Sequence, residues 1–479
     1  VIIYGINDSS HDAALSVLID GQIVFAAHAE RYSKLKNDWG LNLEILNEAF
    51  EFGKPDVVAY YEKRKLKSLR KSIYGGNNGK YKNLYKNIID LNTKEIQVSH
   101  HYSHAAAGYY TSNFDNAAIV VIDAIGEFDT ASIWVGEGNK ITSKYKMKYP
   151  NSFGLFYSAF ADLLGLLAGT EEYILMGMAA FGKHTPMFDY VNSIFSSYDK
   201  QFFNFHRSIN NFPFIINDDQ DRFDLAYAVQ KVYELRLIEF MNYAKKITGK
   251  RNLVFMGGCA LNCSANTELL NTWDDVWIMP NPGDAGSSLG AALAVNGRHA
   301  AWTGPYLGTN IPGAYPVEEL FNSLKNRKVS AVASGRAEFG PRALGNRSIL
   351  ADPRDPNIKN EVNKIKNREP FRPFAPIVLE EFAEEWFEIN GQSPYMQYAV
   401  KCKKPELIPS VVHADGTSRV QTINEHQHKG LYDLLVKWND YTGIPVLLNT
   451  SLNIKNQPLV NDIIDKEEWR INNPNFDIH

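Results

Sequence analysis

In the run SHHYSH, residues 99–104, His100 and His104 stand four positions apart. On a helix that spacing puts both imidazoles on one face, where two ring nitrogens can share a divalent cation. Two imidazoles leave a coordination shell incomplete, so carboxylates from elsewhere in the chain must close it. Asp123, at the end of the apolar run AIVVID, and Asp284, in the glycine-rich turn NPGDAGSS, hold strand-to-turn positions and are the candidates. The same spacing also suits the polar start of an ordinary helix, and both aspartates suit turn or cap chemistry. His101 takes the place of His100 if the helix begins later.

Further along, Arg336, Arg342, Arg347, Arg354, Arg368 and Arg372 lie among Gly, Pro and Phe rather than along a solvated helix. Guanidinium groups placed so are typical forks for phosphate. A solvated charged face is the competing reading, and the apolar neighbours Phe339, Leu344, Ile349 and Phe374 speak against it. HADGTSRVQT gathers His413, Asp415 and Arg419 into one turn and strand. VLLNTSLN ends an apolar run on Asn449, Ser451 and Asn453, small polar groups suited to a ribose or a phosphate. Glycine-rich turns follow apolar runs in GINDSSH, DAIGEFDT, FMGGCALN and NPGDAGSS, where backbone N–H groups can approach a phosphate closely. FMGGCALN supplies Gly257, Gly258 and Asn262 as nucleotide-binding candidates. None of these turns carries a Walker or dinucleotide fingerprint, so each alone also reads as a plain turn.

A basic concentration comes earlier in the chain. Lys63, Arg64, Lys65, Lys67, Arg70, Lys71, Lys80, Lys82 and Lys86 crowd residues 63–87, with Tyr74, Tyr81 and Tyr85 between them. Cations alternating with stackable rings suit a nucleic-acid groove, and a solvated helix with a loop is the alternative. The net charge of −4 excludes a generally basic nucleic-acid binder, so any polyanion must be met locally.

The elements that must position these residues read as α/β. Runs at 1–6, 14–19, 23–27, 57–61 and 117–122 are strand-like and alternate with helical segments. Helical spacing recurs over 152–181 and 224–248, and LVFMGG follows as a buried strand ending on a glycine pair. The stretch WTGPYLGTNIPGAYP lacks periodicity and precedes a helix starting near Val317, which places a boundary between domains 1–302 and 303–479. A chain of 479 residues exceeds what one core usually supports, in agreement with two domains. Hydrophobic residues at 44% and charged residues at 22% exclude a disordered chain. No apolar stretch approaches a bilayer span, and the strand-like opening lacks the basic region of a signal peptide. Cys259, Cys263 and Cys402 form no framework of pairs and fit a reducing compartment, so a cytoplasmic protein is expected.

The strings SSHDAAL, SHHYSHAA, EEYILMGMAAFG, GGCALNCSAN, NPGDAGSSLGAA, EFGPRALGNRSILADPR, REPFRPFAP, HADGTSRVQT and LLNTSLN together resemble the carbamoyltransferase family. That family includes nodulation-factor, cephamycin and tobramycin O-carbamoyltransferases, and the similarity runs in order over residues 5–460. The resemblance implies an actin-like ATPase domain of TsaD type followed by a YrdC-like α/β domain. It implies carbamoyl phosphate and ATP as co-substrates, carbamoyl-adenylate and pyrophosphate as products of the second domain, and transfer to an alcohol by the first. The family's iron site falls on His100, His104, Asp123 and Asp284, with magnesium or manganese as alternative metals. His11 and Asp12, in the family's HD motif, come nearest the acceptor hydroxyl, with His11 as general base. Arg342, Arg347, Arg368, Arg372, Arg419, Asn449 and Ser451 fall on the adenylate site. The favoured acceptor is 5-hydroxymethylcytosine in DNA or its nucleotide, met by Lys80, Tyr81, Lys82 and Lys86. An amino sugar or oligosaccharide, or a threonylcarbamoyl-type reaction on tRNA, is the alternative, and a homo-oligomer stays open. After Val460, NDIIDKEEWRINNPNFDIH departs from the alternating apolar ending expected of a YrdC-like domain.

Overall fold

Apolar residues alternate at the start of the chain and favour extended structure. They form strands β1 (Ile2–Asn7), β2 (Ala14–Ile19) and β3 (Gln22–His28). The computed structural model describes residues 1–74, 85, 89, 93–202, 204–207, 209, 212–369, 372–474 and 476–479. These group into two units, Val1–Val24 with Trp39–Trp302, and Phe25–Asp38 with Thr303–His479. Residues Phe25–Asp38, which the sequence places in the front domain, thus group with the second unit.

In the first unit, β4 (Val57–Tyr60) and β5 (Lys94–Gln97) complete a sheet of order β3-β2-β1-β4-β5. β1 runs antiparallel to β2 and parallel to β4. Strands β6 (Asn116–Ile122), β7 (Asp129–Glu137) and β8 (Lys140–Lys148) begin a second sheet, and the small pair β9 (Phe195–Ser197) and β10 (Lys200–Gln201) forms a separate ribbon. β11 (Asn252–Met256) and β12 (Asp275–Trp277) finish the second sheet in the order β12-β11-β6-β7-β8. Taken from β8, this order repeats that of the first sheet, and β6 is likewise antiparallel to β7 and parallel to β11. The duplication is the one an actin-like domain leads one to expect.

Two helices between these strands carry the site. The helix His100–Thr111 packs on β6, on β11 and on the helix Gly286–Asn296, which packs in turn on β1, β2 and β4. A Cβ at Gly290 would stand 1.8 Å from the Ser103 carbonyl oxygen, and one at Gly5 would stand 1.9 Å from that of Ser288. Glycine at Gly290 therefore lets the two helices approach closely, and glycine at Gly5 lets β1 approach the helix Gly286–Asn296. The helical spacing farther along yields Phe153–Leu163, Glu172–Met178 and Asp219–Thr248, the last capped by the Asp218 carboxylate and ended by left-handed Gly249. Among the described residues, no helix is long and apolar enough to cross a membrane.

The second unit contains β13 (Tyr306–Ile311), β14 (Val329–Ala333), β15 (Gly335–Glu338), β16 (Arg347–Ala351), β17 (Ala375–Leu379), β18 (Tyr398–Lys401), β19 (Thr417–Ile423) and β20 (Val446–Ser451). Its main sheet has the order β14-β16-β20-β17-β19-β18. Leu324, Val332, Leu350, Ile377, Leu435 and Trp438 form the core where the helices Val317–Arg327 and Lys429–Thr442 cover it. Beyond Val460 the chain forms the helix Ile463–Asn472, started by the Asp462 carboxylate, and Ile478 then bridges Ala331 in parallel. A capped helix and a short edge contact thus stand where alternation was expected.

Arg347 corrects the sequence reading most sharply. It is fully buried, and its Nε donates to the Asn461 carbonyl at 3.1 Å. Its Nη1 donates to Ser334 and Asn346 at 2.9 Å each, and its Nη2 to Thr309 and Gly335 at 3.1 Å and to Asn461 at 2.8 Å. The whole fork ends on backbone carbonyls, so Arg347 ties chain segments together and leaves no donor for a phosphate. Burial lowers its pKa to about 10. Arg336 likewise donates to the Leu307 and Gly308 carbonyls, and Arg354 pairs with Asp352. Arg347→Met is expected to lower stability by about 3 kcal/mol or more, because the stranded carbonyls stay buried without donors. Urea unfolding measures this, and a change within about 0.5 kcal/mol would contradict the tie.

Candidate functional site

The helix His100–Thr111 begins at His100, so His100 and His104 lie one turn apart on one face. Asp123 follows the last residue of β6, and Asp284 precedes the helix Gly286–Asn296. All four side chains are buried and converge. His100 Nε2 lies 3.0 Å from Asp123 Oδ2 and 3.4 Å from Asp284 Oδ1, and His104 Nε2 lies 3.3 Å from each of those oxygens. The two Nε2 atoms are 3.2 Å apart. Atoms bound about 2.1 Å from one ion are separated by roughly 3.0–3.4 Å, so the donor set fits a divalent cation. Burial opposes charge on both imidazoles, yet the two aspartates outweigh it, raising the pKa of His100 and holding that of His104 at about 9. Burial also works against the Asp123 carboxylate, and His100 and His104 overcome it to hold its pKa well below the usual range. The cluster therefore demands positive charge, from protons or from a metal. The outer Nδ1 atoms of both histidines are buried with no hydrogen-bond partner among the described residues.

His101 faces away, with Nδ1 2.7 Å from Ser132 Oγ, and burial drops its pKa to about 3. The choice between His100 and His101 is settled by Glu127, which the sequence reading missed. Its Oε1 accepts the His100 N–H at 3.0 Å and the Lys63 N–H at 2.8 Å, while Ser99 makes no side-chain cap. The signal for it was an acid four residues past Asp123 in the turn DAIGEFDT.

His11 and Asp12 lie in the turn after β1, where Ser9 (φ 63°) and Asp12 (φ 61°) adopt the left-handed backbone that usually needs glycine. Asn7 Nδ2 donates to the carbonyls of Asp12 at 3.1 Å and of Asp284 at 3.0 Å, joining this turn to the cluster. His11 Nδ1 lies 3.0 Å from Asp12 Oδ2, its Nε2 lies 3.9 Å from Asp284 Oδ2, and its side chain is 47% exposed. Burial opposes charge on His11, but Asp12, Asp284 and Asp123 together raise its pKa to about 10. So placed, the imidazole is a cation near neutrality, and basicity requires that the carboxylate charge be compensated. Asp8, also missed, accepts the Leu41 N–H at 3.0 Å, and burial pushes its pKa up to about 6.

The FMGGCALN turn lies against the same cluster. A Cβ at Gly257 would stand 2.1 Å from the Ile122 carbonyl oxygen, and one at Gly258 would stand 3.2 Å from Asp123 Oδ1. Asn262 is occupied otherwise than expected. Its Oδ1 accepts from the Ala265 N–H at 3.1 Å and from Gln230 at 3.0 Å, and its Nδ2 donates back to Gln230 at 3.0 Å.

In the second unit the centre of the cationic set is Lys366, which the sequence reading also missed. Only 3% exposed, its Nζ donates to Ser451 Oγ at 3.1 Å, to the Asn453 carbonyl at 3.0 Å and to Asn453 Oδ1 at 2.8 Å. Burial, with the repulsion of Arg368, Arg372 and Lys36, holds its pKa well below that of an ordinary lysine. The Arg368 guanidinium lies 4.2 Å over the Phe374 ring, and Arg372 Nη1 is 3.6 Å from Glu369 Oε2. Ser451 thus stands with Lys366, as does Asn453. The Asn449 side chain is buried, with its Nδ2 donating to the Ala343 carbonyl at 3.2 Å and to Gln421 Oε1 at 2.7 Å and its Oδ1 without a partner among the described residues. Arg342 and Arg419 are half-buried. Arg419 acts on His413, whose pKa falls to about 4 chiefly through burial.

Lys80, Tyr81, Lys82 and Lys86 lie outside the described residues. Tyr85 is buried, stacked on Tyr60 with ring centroids 6.3 Å apart, and its hydroxyl donates to Glu95 at 2.6 Å. Arg64 lies 3.5 Å over the Tyr60 ring and pairs with Glu95 at 2.5 Å. Tyr85 thus belongs to the core and half-buried Arg64 pairs with Glu95 beside it, whereas Lys63 and Lys65 are exposed.

A duplicated α/β unit thus carries an imidazole–carboxylate cluster, and a second α/β unit carries a cationic cluster around buried Lys366. The profile described as Carbamoyltransferase N-terminus matches residues 61–293, and that described as Carbamoyltransferase C-terminus matches residues 321–473. The chain belongs to the carbamoyltransferase family. An uncharacterised protein of Synechocystis sp. is 31% identical over 96% of this chain and 92% of its own length. Nodulation protein NolNO of Sinorhizobium fredii is 30% identical over 96% of this chain and 76% of its own. Among solved structures, full-length HypF in its phosphate- and nucleotide-bound form covers 62% of this chain and 55% of its own at 16% identity, with a TM-score of only 0.36.

Proposed function

We propose that this transferase makes carbamoyl-adenylate from carbamoyl phosphate and ATP and passes the carbamoyl group to an acceptor hydroxyl. The reading is supported above all by the separation of chemistry between the units: the metal-type donors all belong to the first and the cationic cluster to the second. In the second unit, Arg368 and Arg372, with Arg342, Arg419 and Ser451, meet the phosphates, and Lys366, whose N–H groups already go to Ser451 and Asn453, adds its charge beside them. Carbamoyl phosphate loses orthophosphate to water. The carbamate oxygen left behind attacks the α-phosphorus of ATP, and pyrophosphate departs. In the first unit the acceptor oxygen attacks the carbamoyl carbon, its proton goes to His11, and AMP leaves. His100, His104, Asp123 and Asp284 would hold the metal, with iron implied by family resemblance and magnesium or manganese as alternatives. A divalent cation there supplies polarisation of a carbonyl or phosphoryl oxygen. ATP–pyrophosphate exchange dependent on carbamoyl phosphate tests the reading, with orthophosphate released for every adenylate made. Its absence would remove both the adenylate and the activity built on it.

For the acceptor we propose 5-hydroxymethylcytosine, in DNA or as its nucleotide, supported by exposed Lys63 and Lys65 and by the cations of the 80–86 sequence. The burial of Tyr85 and the pairing of half-buried Arg64 with Glu95 take part of that support away, and an amino sugar or oligosaccharide is the second reading. A polynucleotide acceptor should lose apparent affinity as salt rises, by a logarithmic slope of about 0.7–0.9 for each phosphate contacted. Replacing Lys80, Lys82 and Lys86 together should flatten that slope. A flat salt profile in the unaltered protein would reject the polynucleotide and leave a nucleoside or a sugar.

A further inference from the structure

Trp39 leaves 66% of its surface exposed, although tryptophan is ordinarily mostly buried. Its main chain is nonetheless fixed to the His11 turn at two points. The Ser9 N–H donates to the Trp39 carbonyl at 2.8 Å, and the Leu41 N–H donates to Asp8 Oδ1 at 3.0 Å. Leu41 is buried and anchors the far side of the indole's loop. Ser9 lies two residues before His11, and the left-handed backbone at Ser9 and Asp12 brackets the half-exposed imidazole. Asn7 holds the same turn to Asp284. An exposed aromatic side chain is thus carried on backbone hydrogen-bonded to the segment that presents His11. A solvent-facing indole on a fixed main chain loses little entropy when a ring settles on it, which is what a recognition platform needs.

We propose that Trp39 is the platform for the acceptor: the ring bearing an exocyclic hydroxymethyl group lies on the indole, and its hydroxyl reaches the His11 turn. This rests on the carbamoyl-transfer reading and adds to it the residue that selects the acceptor. A hydroxymethylpyrimidine offers its π face to the indole, and a pyranose offers its C–H face, so both sources share the required chemistry. An open-chain alcohol offers neither.

The unaltered full chain, Trp39→Ala and Trp39→Phe are assayed with ATP, carbamoyl phosphate and either 5-hydroxymethyl-2′-deoxycytidine or N-acetylglucosamine. The carbamoyl ester is quantified by mass spectrometry. Trp39→Ala should raise KM for the accepted ring about 10-fold, as expected for loss of one stacking contact. Its kcat should change by no more than about twofold, the signature of uniform binding, and Trp39→Phe should recover most of the KM. The arm that responds names the ring. An unchanged KM in Trp39→Ala overturns the platform, and so does an unaltered protein that accepts neither ring. Pyrophosphate exchange by the unaltered protein, measured without acceptor, reports separately on the carbamoyl-transfer reading, whose failure would appear as no exchange at all.

Discussion

His104→Ala is expected to abolish carbamoyl transfer while pyrophosphate exchange dependent on carbamoyl phosphate persists. His104 Nε2 is 3.3 Å from both Asp123 and Asp284 and 3.2 Å from His100, so its removal opens the donor set at its centre. Losing an outer partner of a metal site costs about 10–100-fold, and a direct ligand should exceed that. Transfer should therefore fall by more than about 100-fold, with the bound metal lost in parallel. Exchange should survive because Lys366, Arg368 and Arg372 belong to the other unit. His101→Ala is the control: its ring is turned to Ser132, so metal content should match that of the unaltered protein. Metal analysis beside both activities checks the set, and exchange falling as far as transfer would defeat the division of labour.

What the sequence made legible, and what it hid, follows from the range of the interactions involved. Two histidines four apart on a helix, and two aspartates at strand-to-turn positions, are local patterns, and the fold gathers all four residues. The choice of His100 over His101 was not local, because it depends on Glu127 capping the helix from another turn. Among the arginines, apolar neighbours marked full burial only at Arg347, where backbone carbonyls take the whole fork, while Arg336, Arg342, Arg368 and Arg372 are half-buried and Arg354 is exposed. Lys366 follows the helix Ile358–Ile365 and looks like any solvated lysine until Ser451 and Asn453 arrive from β20 and the loop after it. The sequence carries no short-period repeat and left duplicated halves within residues 1–300 open, since pairing needs alternating apolar positions and not identical residues, and the two sheets show the duplication. The aromatic reading of the basic segment failed at Tyr85, whose ring the core claims through Tyr60 and Glu95.

Lys366→Met is expected to remove pyrophosphate exchange while leaving the metal content of the first unit untouched. Methionine keeps the length and the apolar stem of the side chain and deletes only the charge, so packing is conserved as nearly as a substitution allows. The amine is buried among neutral oxygens of Ser451 and Asn453, and Arg368, Arg372 and Lys36 act on it as like charges. Like charges so gathered are relieved by a polyanion, which is the reason to place phosphates there. Loss of a fixed charge beside a developing negative charge should lower exchange by about 100-fold, the low end of what one preorganised donor supplies. The depressed pKa adds a second readout. Burial and the arginines lower the pKa of this amine in the free protein, whereas a bound triphosphate raises it, so between the free and bound pKa values ATP binding takes up a proton. Affinity for ATP should then weaken as pH rises through that window. Titration calorimetry in buffers of different ionisation enthalpy measures the uptake directly. Lys366→Met should abolish it, and Lys366→Arg should also lack it while keeping the charge, because a guanidinium stays protonated throughout. Uptake of the same size in Lys366→Met would assign the proton to another group and free Lys366 from the phosphates.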